Sequence, residues 1–139
     1  MKKWLYFLCL PLLLSIVASC SDDEDKLTGK WQLRRYELPD GTVQKEDSVF
    51  YNFQKGSFSA ICLLEDKTYH TFFGLYSLQD DKIYIILRPE ENIDLCKQYL
   101  QWDELGRTFQ IEELSSSTLQ LRYEAVSYTH LTLPTILLV

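Results

Sequence analysis

From Lys30 onward the chain consists of short runs of alternating apolar and polar residues, each closed by turn-forming residues, and no other feature constrains the fold as much. Successive side chains of a strand point to opposite faces, so period-two alternation marks strands that lay one face on a core. Seven such runs fall at about 30–38, 48–54, 57–64, 68–78, 82–88, 107–113 and 118–124, and Thr42 to Lys45 is long enough for one more. Pro39-Asp40-Gly41, Lys55-Gly56, Glu65-Asp66-Lys67, Asp80-Asp81 and Ser115-Ser116-Ser117 separate them and supply the unusual φ values or local side-chain hydrogen bonds that turns need. Connections this short force neighbours to pair antiparallel. Nine Tyr, seven Phe and three Trp suit a half-buried pleated surface better than a small helical bundle.

The alternation assigns inward faces: Val49, Tyr51 and Phe53; Phe58, Ala60, Cys62 and Leu64; Phe109 and Ile111; Leu119 and Leu121. The 68–78 run differs, because Phe72, Gly74, Tyr76 and Leu78 lie opposite Tyr69, Phe73 and Leu75, and this predicts a strand in a closed or doubly covered part of the sheet. Over residues 92–103 the period changes. Ile93, Cys96 and Leu100 recur at helical spacing with Leu95, Tyr99 and Trp102 beside them, after Pro89 and the candidate cap Asn92 and before Gly106. One short amphipathic helix is expected, placed to plug a barrel end.

Residues 1–19 read as a leader: Lys2-Lys3, then the uncharged apolar run Trp4 to Val17, about 14 residues where a membrane-crossing helix takes ~20. Val17-Ala18-Ser19-Cys20 resembles the lipobox of bacterial lipoproteins, which implies cleavage before Cys20 and a lipid on its thiol. An ordinary secretory leader with an incidental cysteine is the alternative. Ser21, Asp22, Asp23, Glu24 and Asp25 follow, and like charges in succession make residues 20–28 a solvated tether. The same acidic cluster resembles the surface-export signal of Bacteroidetes lipoproteins. Localisation is therefore expected at the outer membrane, lipid-anchored, facing the periplasm or the cell surface. Without Lys2 and Lys3 the chain carries 12 basic against 20 acidic side chains, a net of −8 that repels phosphate backbones and excludes nucleic acid as a partner.

Leu27-Thr28-Gly29-Lys30-Trp31 opens the domain, and Gly-x-Trp at the start of a first strand resembles the opening motif of the lipocalin superfamily. With Val49 to Phe53, the turn at Gly56, the Tyr76 strand, and Phe109 to Leu114 followed by Leu119 to Leu121, residues 27–124 look like the small lipocalin-like lipoproteins of Bacteroidetes. The resemblance implies an all-β, antiparallel up-and-down barrel of about eight strands over residues 29–126, with Trp31 across the closed end and a mouth admitting a small hydrophobic ligand. Phe72 and Tyr76 are the candidate ligand-binding rings, and Arg122 is the candidate basic partner for Trp31. Residues 127–139 show neither alternation nor a preceding turn; they resemble translated read-through and are expected to be non-native or disordered.

Catalytic and metal constellations are weak. Cys62 and Cys96 are the thiols left after Cys9 and Cys20, and in an exported protein they either bridge or remain small buried hydrophobes. His70 stands alone on its strand. Glu90-Glu91, Glu112-Glu113 and Asp80-Asp81 are sequence neighbours, which on a strand point apart and form no dyad. Ser115 to Ser117 form a turn without a nucleophile elbow, and no phosphate-cradling glycine loop occurs. The expectation is a non-catalytic envelope binding protein without a cofactor or metal, holding a small hydrophobic ligand in its barrel. The alternatives are a protein–protein interaction module of an envelope complex and, more remotely, a hydrolytic enzyme. A ring-lined cavity would favour the ligand; a filled interior with an exposed apolar patch would favour the module.

Overall fold

The structure, a computed structural model, describes residues 22–124 and 135–138. The leader, Cys20 and Ser21 lie outside the described residues, as do 125–134 and Val139. The strands are β1 (Gly29–Glu37), β2 (Val43–Lys45), β3 (Val49–Gln54), β4 (Ser57–Leu63), β5 (Tyr69–Gln79), β6 (Lys82–Leu87), β7 (Gly106–Leu114), β8 (Leu119–Glu124) and β9 (Thr135–Leu138). Helix α1 covers 22–27 and α2 covers Ile93–Leu100. From β3 to β9 each strand pairs antiparallel with the next in sequence, and β9 returns to pair with β1. Only three residues separate β2 from β3, and both pair with β1, so they run along it as one interrupted strand. The result is the expected up-and-down barrel of eight strands.

The expected alternation is what fills it. On β3, β4 and β6 the buried residues are Val49, Tyr51 and Phe53; Phe58, Ala60 and Cys62; and Ile83, Ile85 and Leu87. Turn chemistry sets the register. Lys55 (φ 39°) and Gly56 (φ 91°) are both left-handed, as a two-residue hairpin matched to the twist of its strands requires. Gly74 serves a different purpose. A Cβ there would lie 2.3 Å from the Ile86 carbonyl oxygen and 2.9 Å from Leu87 Cα, so a side chain of any kind would drive β5 away from β6.

Helix α2 begins where expected, with the Asn92 side chain accepting from the Asp94 and Leu95 backbone N–H groups. It ends earlier than residue 103, because Gln101 turns left-handed (φ 61°) and sends its N–H back to the Cys96 carbonyl. Cys96 and Leu100 face the core, and the turn swings Trp102 inward to full burial.

Three expectations are corrected. Residues 22–27 are a helical segment rather than a loose tether: Lys26 pairs with Asp22 one turn earlier at 3.3 Å, and Thr28 donates to the Glu24 carbonyl through both its N–H and its hydroxyl. Acidic side chains in a first turn favour the helix through its dipole, and Leu27 is drawn completely into the core. The tail is not wholly without structure, since Thr135–Leu138 lies between β1 and β8 with Leu138 buried; an apolar, β-branched run fits the two edges those strands would leave open. Finally, β5 is covered on one face only: Phe72 and Tyr76 are buried, while Tyr69, Phe73 and Leu75 are exposed.

Candidate functional site

The barrel interior is packed with rings. Tyr51 meets Phe58 edge-on at 5.5 Å and Trp102 at 6.2 Å, Phe53 meets Tyr76 at 5.1 Å, and Phe58 lies stacked on Trp102 at 6.0 Å. Phe109 closes the group against Trp102 at 6.3 Å. Tyr51, Phe53, Phe72, Trp102 and Phe109 are completely buried, and each such side chain contributes about 1.5–3 kcal/mol by burial alone. The indole N–H of Trp102 donates to the Tyr51 hydroxyl at 3.2 Å, so helix α2 and its following turn plug the barrel with a satisfied polar contact. Phe72, expected at a ligand cavity, lies under this packing against the His70 ring at 4.5 Å; Tyr76 packs on Phe53, and its buried hydroxyl has no hydrogen-bond partner among the described residues.

Arg107 is the buried charged side chain of the described residues, 9% exposed. It enters from the start of β7, and its guanidinium lies 3.8 Å from the Tyr123 ring centroid and 5.2 Å from that of Trp102. It donates to the Gln101 carbonyl at 3.1 Å, and among the described residues no carboxylate pairs with it. Arg122, the expected partner of Trp31, instead faces outward and pairs with Glu112 at 3.2 Å, because its place on β8 puts it on the wet side of the alternation. Trp31 is held by its own N–H donating to the Leu27 carbonyl. Nothing in the sequence distinguished Arg107 from a surface arginine.

Outside the barrel, apolar side chains remain uncovered. Leu75 and Ile86 stand opposite each other across β5 and β6 at 62% and 61% exposure, with Phe73 and Tyr84 exposed beside them. Gly106, paired with Ile86, adds no side chain, and a groove of about 550 Å³ opens there. Leu75, Tyr84, Ile86, Glu104, Arg107 and Tyr123 are among its lining residues. The signal for this face in the sequence is the second apolar side of the 68–78 run, whose composition is the same whether the face is covered or open.

Cys62 and Cys96 are free and buried, the small-hydrophobe alternative and not the bridge. Burial, then Glu46 and Cys96 nearby, push the Cys62 thiol up to about 12. Burial likewise raises Tyr51 and Tyr36, over the opposing pull of Arg107. The fold therefore holds these protons more tightly than the unfolded chain, whose thiol titrates near its ordinary value of 9.0. Stability is fully present below that pH and is lost as pH rises from 9.0 through about 12. The urea midpoint should accordingly stay flat to about pH 8 and fall above it, with Cys62→Ala removing the first part of the fall. Iodoacetamide near neutral pH should leave both thiols unlabelled in the folded chain and label both in urea, without added reductant. Among the described residues no three His, Cys, Asp or Glu side chains gather as a metal site.

Comparison with known proteins places these features. The lipocalin-like domain family matches residues 12–131. A lipocalin-like protein from Bacteroides uniformis ATCC 8492 is 52% identical, over 81% of this chain and 96% of its own, with a TM-score of 0.70. An uncharacterized protein from Bacteroides eggerthii DSM 20697 is 38% identical, over 81% of this chain and 97% of its own, with a TM-score of 0.67. A comparison with curated proteins gives no match.

Proposed function

Because the chain belongs to the lipocalin-like domain family, we propose that it is a non-catalytic binding protein of the bacterial envelope, anchored by a lipid on Cys20, that binds with the outer wall of its barrel instead of its interior. One observation carries the choice of surface: the interior is filled by packed rings, whereas the wall over β5 and β6 leaves five large apolar side chains in water. Exposing a contiguous apolar face works against folding economy, and such faces mark binding sites. The anchor is supported by the leader and lipobox of residues 1–20, and delivery to the cell surface by the acids at 22–25.

Two experiments test the two halves separately. In cells fed labelled palmitate, the wild type should take up label and sediment with membranes; a Cys20→Ser chain that does both refutes the anchor. A photo-crosslinking residue at position 75 or 84 should capture a ligand or envelope partner, and one at Lys55, at the barrel end, should not. Equal capture at the three positions, or none at 75 and 84, would refute the outer wall.

A further inference from the structure

We propose that the outer wall over β5 and β6 docks on the bilayer itself, so that the barrel lies with this wall in the headgroup region of the membrane that holds Cys20. The proposal rests on the outer-wall and anchor readings above and names what covers the wall. Charge is the observation that selects lipid. Strands β4, β5 and β6 carry no acidic residue, in a chain with 20 of them, and Lys82 is their one Lys or Arg. The neighbouring acids stand in the connections, at Glu65-Asp66, Asp80-Asp81 and Glu90-Glu91. Anionic headgroups repel a domain of net charge −8 wherever its carboxylates approach them, and this wall brings none. Its exposed side chains are those of an interfacial surface. Leu75 and Ile86 form an aliphatic centre, Tyr69, Phe73 and Tyr84 surround it, and Arg88 lies over the Phe73 ring at 5.3 Å with its guanidinium free to meet a headgroup phosphate. The wall lacks the fixed charges that set a protein partner's register, which a fluid bilayer does not need.

The register of the sheet brings the anchor and the wall to one place. Gly29, two residues after α1, pairs with Phe53, Phe53 with Phe58, and Phe58 with Gly74, so the exit of α1 and the centre of the wall share one cross-strand row. They are three strands apart, about 14 Å along the sheet. Only Ser21 links α1 to Cys20, and a lipid there keeps the wall close to the surface it would enter. A tether this short gives a high effective concentration, so burying a few side chains the size of Leu75 and Ile86 is enough to hold the docked orientation.

The test uses the mature chain with Cys20→Ser, whose described core residues all lie between Leu27 and Leu138. A histidine tag in place of the acyl chain joins its N-terminus to nickel-chelating lipid in phosphatidylcholine vesicles. A polarity-sensitive maleimide dye reads the wall at Tyr84→Cys and the opposite side of the barrel at Arg34→Cys, both exposed positions, while buried Cys62 and Cys96 take no label. On vesicles the dye at 84 should shift to the blue, and brominated lipid should quench it at least twofold more than the dye at 34. Ile86→Glu, also at an exposed position, should abolish the shift although the tag keeps the chain on the vesicles. Without the tag, the same substitution should lower partition onto the vesicles about tenfold. No shift at 84, or equal quenching at 34 and 84, overturns the bilayer as the partner of this wall. That outcome is independent of whether Cys20 is acylated, and the crosslinks at positions 75 and 84 then judge the wall itself. A blue shift at 84 that grows with protein concentration and needs no vesicles assigns the wall to a second copy of the chain and also overturns the proposal.

Discussion

Trp102→Ala is expected to cost about 3–5 kcal/mol of unfolding free energy, read as a large fall in the urea midpoint with the slope unchanged. The indole is completely buried, stacked on Phe58 at 6.0 Å and edge-on to Tyr51. Truncation opens a cavity at the plugged end and leaves two further deficits. The Tyr51 hydroxyl loses the donor 3.2 Å away, and the Arg107 guanidinium loses one of its two aromatic faces. A domain of this size has about 5–15 kcal/mol in total, so the variant stands close to unfolding at physiological temperature. Trp102→Phe keeps the stacking surface and should cost clearly less. A loss under about 1 kcal/mol for the alanine variant would mean that the ring cluster does not hold α2 in place.

Gly74→Ala should be the most damaging single methyl addition in the sheet, at about 1–3 kcal/mol. Elsewhere on a strand this change is favourable or neutral, because it restricts the unfolded chain. Here the new methyl would stand 2.3 Å from the Ile86 carbonyl oxygen, and that obstacle is backbone that cannot rotate away. Relief requires β5 and β6 to separate at the Gly74–Leu87 pair, which also moves Leu75 and Ile86. The variant should thus lose stability by chemical denaturation and lose ligand at the outer groove, whereas Ile86→Ser should lose only the second. A stabilised Gly74→Ala protein would show that the close approach of the two strands is absent in solution.

The barrel was legible because its rule is local. Tyr51 and Phe53 on one side and Asn52 on the other, followed by Lys55-Gly56, suffice to orient two strands and their turn without knowledge of the rest. Asn92 was legible as a cap for the same reason. What was missed depended on partners distant in sequence. Arg107 becomes a buried cation only when α2 delivers Trp102 and β8 delivers Tyr123, and an isolated Gly-Arg-Thr at a strand start carries no trace of either. Gln101 takes a left-handed conformation that its side chain does not advertise. Tyr69, Phe73 and Leu75 present the opposite difficulty: their apolar character is plain in the sequence and points to burial, but an uncovered face has the same composition as a covered one. Of the acids at 22–25, Asp22, Asp23 and Asp25 are solvated as a charge run predicts and Glu24 is half-buried, yet their helix is fixed from its other end by Leu27.

That docked helix sets a length scale. Six helical residues rise about 9 Å, and Ser21 alone separates them from Cys20, so an acyl chain there would hold the barrel floor within about 15 Å of the headgroups. Under the proposed anchor, such a molecule would not sweep the space between membranes or reach out from the cell like a receptor on a stalk. Its ligand would have to come to the bilayer surface, or already reside in it, and lengthening the Ser21 link with a flexible insert would be the direct way to change its reach.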